Sequence, residues 1–227
     1  MENDLKYDLS LEKLQALVAS PKTVLGKVYR LIQDRARVLD VGCHSGGFGR
    51  MLKQKGCVVT GMEINAQAAE QARQVIDQVV TGNVEEDAPW KQLSGAFDVI
   101  CFLDVLEHCR EPEKVLRAGQ RRLAPGGFIL CSIPNVAHWT IRKSLFLGRF
   151  DYEPRGILDE THLRFFTVDS ARRLLTGSGY RIEFEDFVFT APKLLKQRMI
   201  PGTLVRRLPS LFAYQMVFKA CPLQDTH

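Results

Sequence analysis

Residues 38–49 read VLDVGCHSGGFG. Four residues of strand character run into a glycine-rich turn and then into a segment of helical composition. That is how an open α/β sheet brings bare backbone to a ligand. Gly42, Gly46, Gly47 and Gly49 lack the Cβ atoms that would hold a ligand away, and positive φ costs them little. A dinucleotide pyrophosphate asks for G-x-G-x-x-G at such a turn. Here Cys43 and His44 follow Gly42, and after Gly47 and Gly49 the third glycine is replaced by Leu52, so that fingerprint is absent. Asp40, inside the strand, disfavours phosphate further and favours a ligand with a positive group.

Outward from this turn, strands and helices alternate. ARVLDVGC, CVVTGMEI, VVTGN, FDVICFL and GGFILCSIP read as near-continuous apolar strands, with helices predicted at about 47–55, 66–78 and 112–123. Strands of this kind, separated by helices of about ten residues, indicate a doubly wound parallel α/β sheet covered on both faces. Two helices precede it. Ser10 is placed to cap a run with Leu11, Leu14, Leu17 and Val18 on one face, stopped by Pro21, and Val24, Val28, Leu31 and Ile32 share a face of the second. Beyond Pro134 the regularity fails through 135–166, an aromatic-rich connection read as a lid or binding loop. Thr167 then caps a helix, VDSARRLLTGSG, and YRIEFEDFVF and LFAYQMVFKAC read as closing strands, a hairpin with a long excursion. No repeat or linker divides the chain, so one domain is expected: N-terminal helices at 1–35, a cofactor-binding core at 36–134, a lid at 135–166, and a C-terminal helix with closing strands at 167–227.

Composition narrows the class. The chain has 227 residues, 45% of them hydrophobic and 25% charged, with a formal charge of +5, as expected of an ordinary globular protein with one sizeable core. Six cysteines, at 43, 57, 101, 109, 131 and 221, form no CxxC pair, which reads as a reducing compartment. No leader pattern opens the sequence and no apolar run reaches the ~20 residues that span a bilayer, so a cytoplasmic protein is expected. Lys193, Lys196, Arg198, Arg206 and Arg207, interleaved with Leu194, Leu195, Met199, Ile200 and Leu204, form one basic amphipathic segment. It is a solvated cover over the sheet edge or a peripheral contact with membrane or partner. No basic groove with stacking aromatics marks a nucleic-acid binder.

The residues after the next two strands specify the ligand more closely. Glu63 lies 21 positions beyond Gly42, at the end of VTGMEIN, where a carboxylate accepts from the two hydroxyls of a ribose. Asn83 of TGN is placed to read an adenine edge and Val84 to pack on the ring. A nucleoside with a cationic group and no phosphate describes S-adenosylmethionine.

VLDVGCHSGGFG, the Glu63 of GMEIN, the Asn83 of TGN, FDVICFLDVLEH and LAPGGFILCSIPN, in this order, resemble a class I S-adenosylmethionine-dependent methyltransferase of the ubiquinone-type O-methyltransferase and methyltransferase type 11–12–23 group, over about residues 36–190. The resemblance implies a seven-stranded Rossmann-like sheet whose final strand, FAYQMVFKA, is antiparallel. It implies that Asp40 and Gly42 flank the methionine amino group, with Cys43 and Gly46 in the same turn. Glu63 and Ile64 then serve the ribose, Asn83 and Val84 the adenine, and the backbone near Leu103 closes the pocket. Two departures stand out: Gly42-Cys43-His44-Ser45-Gly46 replaces the commoner Gly-x-Gly, and Asn83 replaces a frequent aspartate.

Methyl transfer to a hydroxyl needs a base as well as positioning. LDVLEH supplies Asp104, Glu107 and His108, with His108 the expected base. In the ubiquinone-type enzymes such a segment lies near the acceptor and is able to hold a divalent ion, although no metal is assigned here. From the lid, His138, Trp139, Tyr152 and His162 are the expected acceptor contacts, and LDETHLRFF resembles the lid of methyltransferases encoded near cell-surface sugar and lipid pathways. The expected partner is a small-molecule acceptor, methylated at an oxygen of a phenol, lipid or sugar. PNVAHW also resembles methionine-biosynthesis accessory proteins of the same fold, which keeps open a catalytically silent partner protein. A nicotinamide dehydrogenase is disfavoured by the missing third glycine.

Overall fold

The computed structural model describes residues 10–190 and 207–223. Helices Leu11–Ala19 (α1) and Val24–Leu31 (α2) open on the expected caps, Ser10 Oγ accepting from the Lys13 N–H and Thr23 Oγ1 from the Gly26 N–H. The strands are Arg37–Val41 (β1), Val58–Glu63 (β2), Gln78–Thr81 (β3), Phe97–Leu103 (β4), Leu123–Pro134 (β5), Tyr180–Phe189 (β6) and Ala213–Pro222 (β7). They form one seven-stranded sheet in the order β3-β2-β1-β4-β5-β7-β6. Pairing is parallel from β3 to β5, and β7 runs antiparallel to both β5 and β6. The expected doubly wound, mostly parallel architecture is the observed one.

Period-two alternation sends successive strand residues to opposite faces. Leu39, Val41, Met62, Ile100 and Phe102 join the core on one face, where Val115 and Leu116 of helix Pro112–Gln120 (α6) and Leu174 and Leu175 of helix Val168–Gly177 (α8) pack. Val38, Val59, Val99, Cys101 and Leu130 join the other, beneath Leu14, Val28 and the helix Gly47–Lys53 (α3). The strands are apolar throughout because both faces are covered.

Three segments depart from the sequence reading. The helix expected at 66–78 ends early, as Ala66–Ala72 (α4), because the chain turns to put Ile76 into the core before β3 begins. A short helix, Asp87–Gln92 (α5), was not expected; one and a half turns carry too little periodicity to read, and its buried Trp90 is its anchor. The connection 135–166 is not irregular, because it contains the helix Trp139–Phe146 (α7), capped by His138. Only Ile141 of α7 is buried, and Phe146 is 89% exposed, so no apolar stripe announced the helix. In the basic segment, Lys193, Lys196, Arg198 and Arg206 lie outside the described residues.

Sheet order reverses between β1 and β4, and a crevice opens at such a switch point beyond the carboxyl ends of the strands. The end of β5 is fixed beside it by Asn135. This fully buried side chain donates to the carbonyls of Ala213 (2.8 Å) and Ser210 (3.2 Å) and accepts from the Ala137 N–H (3.0 Å). Asn135→Ala leaves these groups without partners in a dry site. The expected loss is roughly 2–4 kcal/mol of unfolding free energy in urea titration, with m unchanged.

Candidate functional site

The glycine-rich turn follows β1 with Gly42 at φ +72° and Gly46 at φ +79°. A Cβ on Gly42 would stand 2.7 Å from Val105, so no larger residue fits between the ends of β1 and β4. Four backbone donors of the turn are engaged within the protein. Gly42 and Cys43 donate to the Met62 carbonyl (2.7 and 3.2 Å), Gly46 to the Cys43 carbonyl (2.9 Å), and His44 to Glu63 Oε2 (2.8 Å). A phosphate nest requires N–H groups free to converge on an anion. This turn instead uses its donors to brace β2 and a carboxylate.

That carboxylate, Glu63, is 7% exposed and also accepts from the Asn65 N–H through Oε1 (2.8 Å). Each oxygen therefore has one fixed donor and room for another, the geometry for a pair of adjacent hydroxyls. Asp40 lies 3% exposed nearby, and burial, with the Glu63 charge second, pushes its carboxyl up to about 7. The Cys43 thiol is buried and pushed up strongly for the same reasons, so it is an inert wall of the turn. Two neighbouring acidic side chains in a nearly dry site suit a ligand with hydroxyls and a positive charge, and these residues fit the nucleoside with a cationic group read from the sequence.

Other cofactor positions are placed less simply. Ile64 is 65% exposed at the rim and Leu103 is partly buried at the end of β4. Asn83 Oδ1 accepts from the Glu85 N–H (3.0 Å), which fixes the side chain and leaves its amide nitrogen and one lone pair of the oxygen to read a base edge. Val84 packs on the core, and its carbonyl accepts from Trp90 Nε1 (2.7 Å).

Across the switch point, Asp104 adopts φ +55°. Its N–H donates to the Ser132 carbonyl (3.2 Å), and its carboxylate accepts from Ser132 Oγ (2.6 Å) and from Gln215 Nε2 at both oxygens (2.8 Å each). Desolvation raises this carboxyl against the lowering pull of those bonds. The residue is nevertheless open to solvent, as a group on the wall of a crevice is. The 3-10 turn Leu106–His108 follows. Glu107 is 1% exposed, neither oxygen has a hydrogen-bond partner, and burial, then the Asp104 and Asp159 charges, push its carboxyl well above the usual range.

The connection 135–166 packs against this turn. Leu163 and Arg164 donate their N–H groups to the Glu107 carbonyl (2.9 and 3.0 Å). His108 Nδ1 lies 3.2 Å from both the carbonyl and the hydroxyl of Thr161, and Thr161 Oγ1 donates to Asp159 Oδ1 (2.7 Å). A carbonyl only accepts, so Nδ1 carries the proton and Nε2 of His108 is the basic nitrogen. His162 Nδ1 donates to the Ile157 carbonyl (3.0 Å), and its Nε2 lies 4.0 Å from Glu107 Oε1. Glu107, His108 and His162 offer one ligand atom each within 4.8 Å, a donor set chemically suited to a divalent cation.

The structure thus brings Asp104, Glu107, His108 and His162 together, and it does not bring His138 to them. His138 is buried at the N-cap of α7, one ring nitrogen paired with Thr140 Oγ1 (2.7 Å) and the other with Thr190 Oγ1 (3.2 Å), so its work is to hold the helix. Trp139 packs on that ring at 5.7 Å with its indole N–H buried and unpaired. Tyr152 is exposed, edge-on to Phe150. Sequence reasoning missed Ser132, Gln215, Asp159 and Thr161. Of these, only the Asp159-x-Thr161 spacing, typical of an Asx turn, carried a local signal.

Residues 11–184 match the methyltransferase domain family. Among curated proteins, the ubiquinone biosynthesis O-methyltransferase of Idiomarina loihiensis is 32% identical over 153 residues, 63% of this chain and 60% of that protein. The protein of the same name from Pseudomonas aeruginosa is 31% identical over 105 residues, 44% of each. The chain therefore spans less than two thirds of these relatives. Among solved structures, a SAM-dependent methyltransferase from Archaeoglobus fulgidus aligns with a TM-score of 0.67 at 18% identity, covering 96% of each chain. Magnesium protoporphyrin IX methyltransferase from Synechocystis, solved with bound SAH, aligns at 0.55 and 17% identity over 92% of this chain and 81% of that one.

The raised Asp40 carboxyl sets a pH signature for the ligand-free protein. An unfolded aspartate ionises near 3.9, the folded one at about 7, so between these values the unfolded chain binds fewer protons. Stability then falls as pH rises through that window and is level above it. Asp40→Asn should remove this fall, at about 1.4 kcal/mol per pH unit. In thermal unfolding the variant should exceed wild type at pH 8 and approach it toward pH 4.

Proposed function

The chain belongs to the methyltransferase domain family, and from that premise we propose that it transfers a methyl group from S-adenosylmethionine to an oxygen of a small-molecule acceptor, phenolic, lipid or sugar. One observation carries the cofactor reading. The N–H groups of Gly42, Cys43 and His44 in the glycine-rich turn are engaged by Met62 and Glu63, while Asp40 and Glu63 stand buried beside it. That arrangement repels a pyrophosphate and receives a ribose and an ammonium.

S-adenosylmethionine, when bound, supplies a methyl group already activated on a sulfonium, so the protein's task is alignment and proton removal. Glu63, held by His44 and Asn65, accepts from the ribose hydroxyls. Asp40 provides the counter-charge for the amino group. The basic Nε2 of His108, fixed by Thr161 at Nδ1, takes the proton of an acceptor hydroxyl. Glu107 is held neutral by burial beside it, and Asp104 fixes the turn that carries both. The 31–34% identity of curated O-methyltransferases supports oxygen as the acceptor atom. The competing silent accessory protein would have no use for the His108–Thr161–Asp159 chain.

Isothermal titration with S-adenosylmethionine and S-adenosylhomocysteine, with NAD as control, tests the site. Glu63→Ala should weaken both ligands at least about tenfold, or about 1.4 kcal/mol. His108→Ala should leave their binding intact and abolish turnover. Wild-type affinity in Glu63→Ala would overturn the cofactor assignment, and full turnover in His108→Ala the base.

A further inference from the structure

A cavity of about 310 Å3 opens between α7 and the segment 151–158, with Tyr214 of β7 in its wall. Its lining sorts by chemistry. Ile141, Ile157 and Leu158, all buried, give an apolar floor. Thr140, Ser144 and Tyr214 contribute hydroxyls, and Asp151 and Glu153 stand exposed at the mouth. No lysine, arginine or histidine is among the described residues that line it.

Two covalent and hydrogen-bonded paths join this cavity to the proposed transfer centre. Ile157 accepts from His162 Nδ1 through its carbonyl (3.0 Å) and lines the cavity together with Tyr214. The chain then runs directly through Asp159 and Thr161 to His108. On the other side Tyr214 is followed by Gln215, whose amide holds both oxygens of Asp104 (2.8 Å each). The Tyr214 phenol is raised by burial first, then by the charges of Glu153 and Asp104. Ligand pockets run from about 300 to 1,000 Å3, and this cavity stands at the small end of that range.

We propose that the cavity between α7, residues 151–158 and Tyr214 holds an amine-bearing substituent of the methyl acceptor and rejects carboxylate or phosphate there. The proposal rests on the methyl-transfer reading above and adds the class of acceptor. An ammonium group takes Asp151 and Glu153 as counter-charges. The Ser144 and Tyr214 hydroxyls accept further N–H bonds. Thr140 Oγ1 donates to His138 and keeps its lone pairs for the ligand. The carbon stem of the substituent packs on Ile141, Ile157 and Leu158. An anionic substituent would meet two like charges and no cation, a mismatch that acts as rejection.

The test uses three phenols that differ only in the tail: tyramine, 4-ethylphenol and 4-hydroxyphenylacetate. Each is titrated into the full-length protein saturated with S-adenosylhomocysteine, by saturation-transfer NMR. Tyramine should bind at least about tenfold more tightly than 4-ethylphenol, and 4-hydroxyphenylacetate more weakly than either. The Asp151→Asn, Glu153→Gln double variant should level the three. Ser144→Trp should fill the cavity and remove tyramine binding, with S-adenosylhomocysteine affinity within about twofold of wild type. Equal affinity of tyramine and 4-ethylphenol, including no binding of either, overturns the proposal, as does an amine preference that survives the double variant. If S-adenosylhomocysteine itself fails to bind, the methyl-transfer reading falls and this proposal with it. If it binds and the charge order is absent, only this proposal falls.

Discussion

The carboxylate of Asp104 ties three strands together at the open end of the sheet. It ends β4, accepts from Ser132 of β5 and is held at both oxygens by Gln215 of β7. Because β7 runs against its neighbours, its first residues reach the same edge as the last residues of β4 and β5. An antiparallel final strand is thus what lets a residue late in the chain support the candidate site. These bonds also fix a non-glycine residue in the left-handed region, a conformation that persists only where its surroundings over-determine it. From that turn the chain enters the 3-10 segment bearing Glu107 and His108, and to that segment the lid is tied.

Around this fixed turn the site divides into two electrostatic regions. On the β1–β2 side, acidic groups are buried beside a turn that donates to Glu63, and burial, with the Glu63 charge second, raises the Asp40 carboxyl. On the β4 side, Glu107 is driven toward its neutral form by burial and by the Asp104 and Asp159 charges. Carboxyl groups of one chemical type are therefore set to different tasks by their surroundings, which is how one fold separates ligand binding from proton handling.

How far the sequence could be read follows from the range of the interactions involved. β1, β2, β4 and β5 were legible because a strand buried on both faces must be apolar throughout. The placement of Asp40, Gly42 and Glu63 was legible because it follows from their position at the carboxyl ends of β1 and β2. α7 was hidden because it turns only Ile141 inward and leaves its other apolar residues outside. Ser132 and Gln215 were hidden because they lie 28 and 111 residues from the carboxylate they hold. His138 was read as an acceptor contact because it stands in an aromatic-rich connection, and nothing local shows that one of its nitrogens caps α7 while the other pairs with Thr190.

The lid is anchored by its backbone and varied by its side chains. Leu163 and Arg164 bind the Glu107 carbonyl through N–H groups that any non-proline residue would supply, and Val136 does the same to Phe166 across the lid's base. Those contacts set where the lid lies and place no demand on what 140–158 contain. Of the side chains that line the cavity beside Tyr214, Ile141, Ile157 and Leu158 are buried together as a small core, and none of the lining side chains bonds the turn that carries His108. That turn is placed by the side-chain bonds of Asp104 to Ser132 and Gln215 and by the main-chain bonds of Leu163 and Arg164 to Glu107, so the cavity and the turn are built from different sets of interactions.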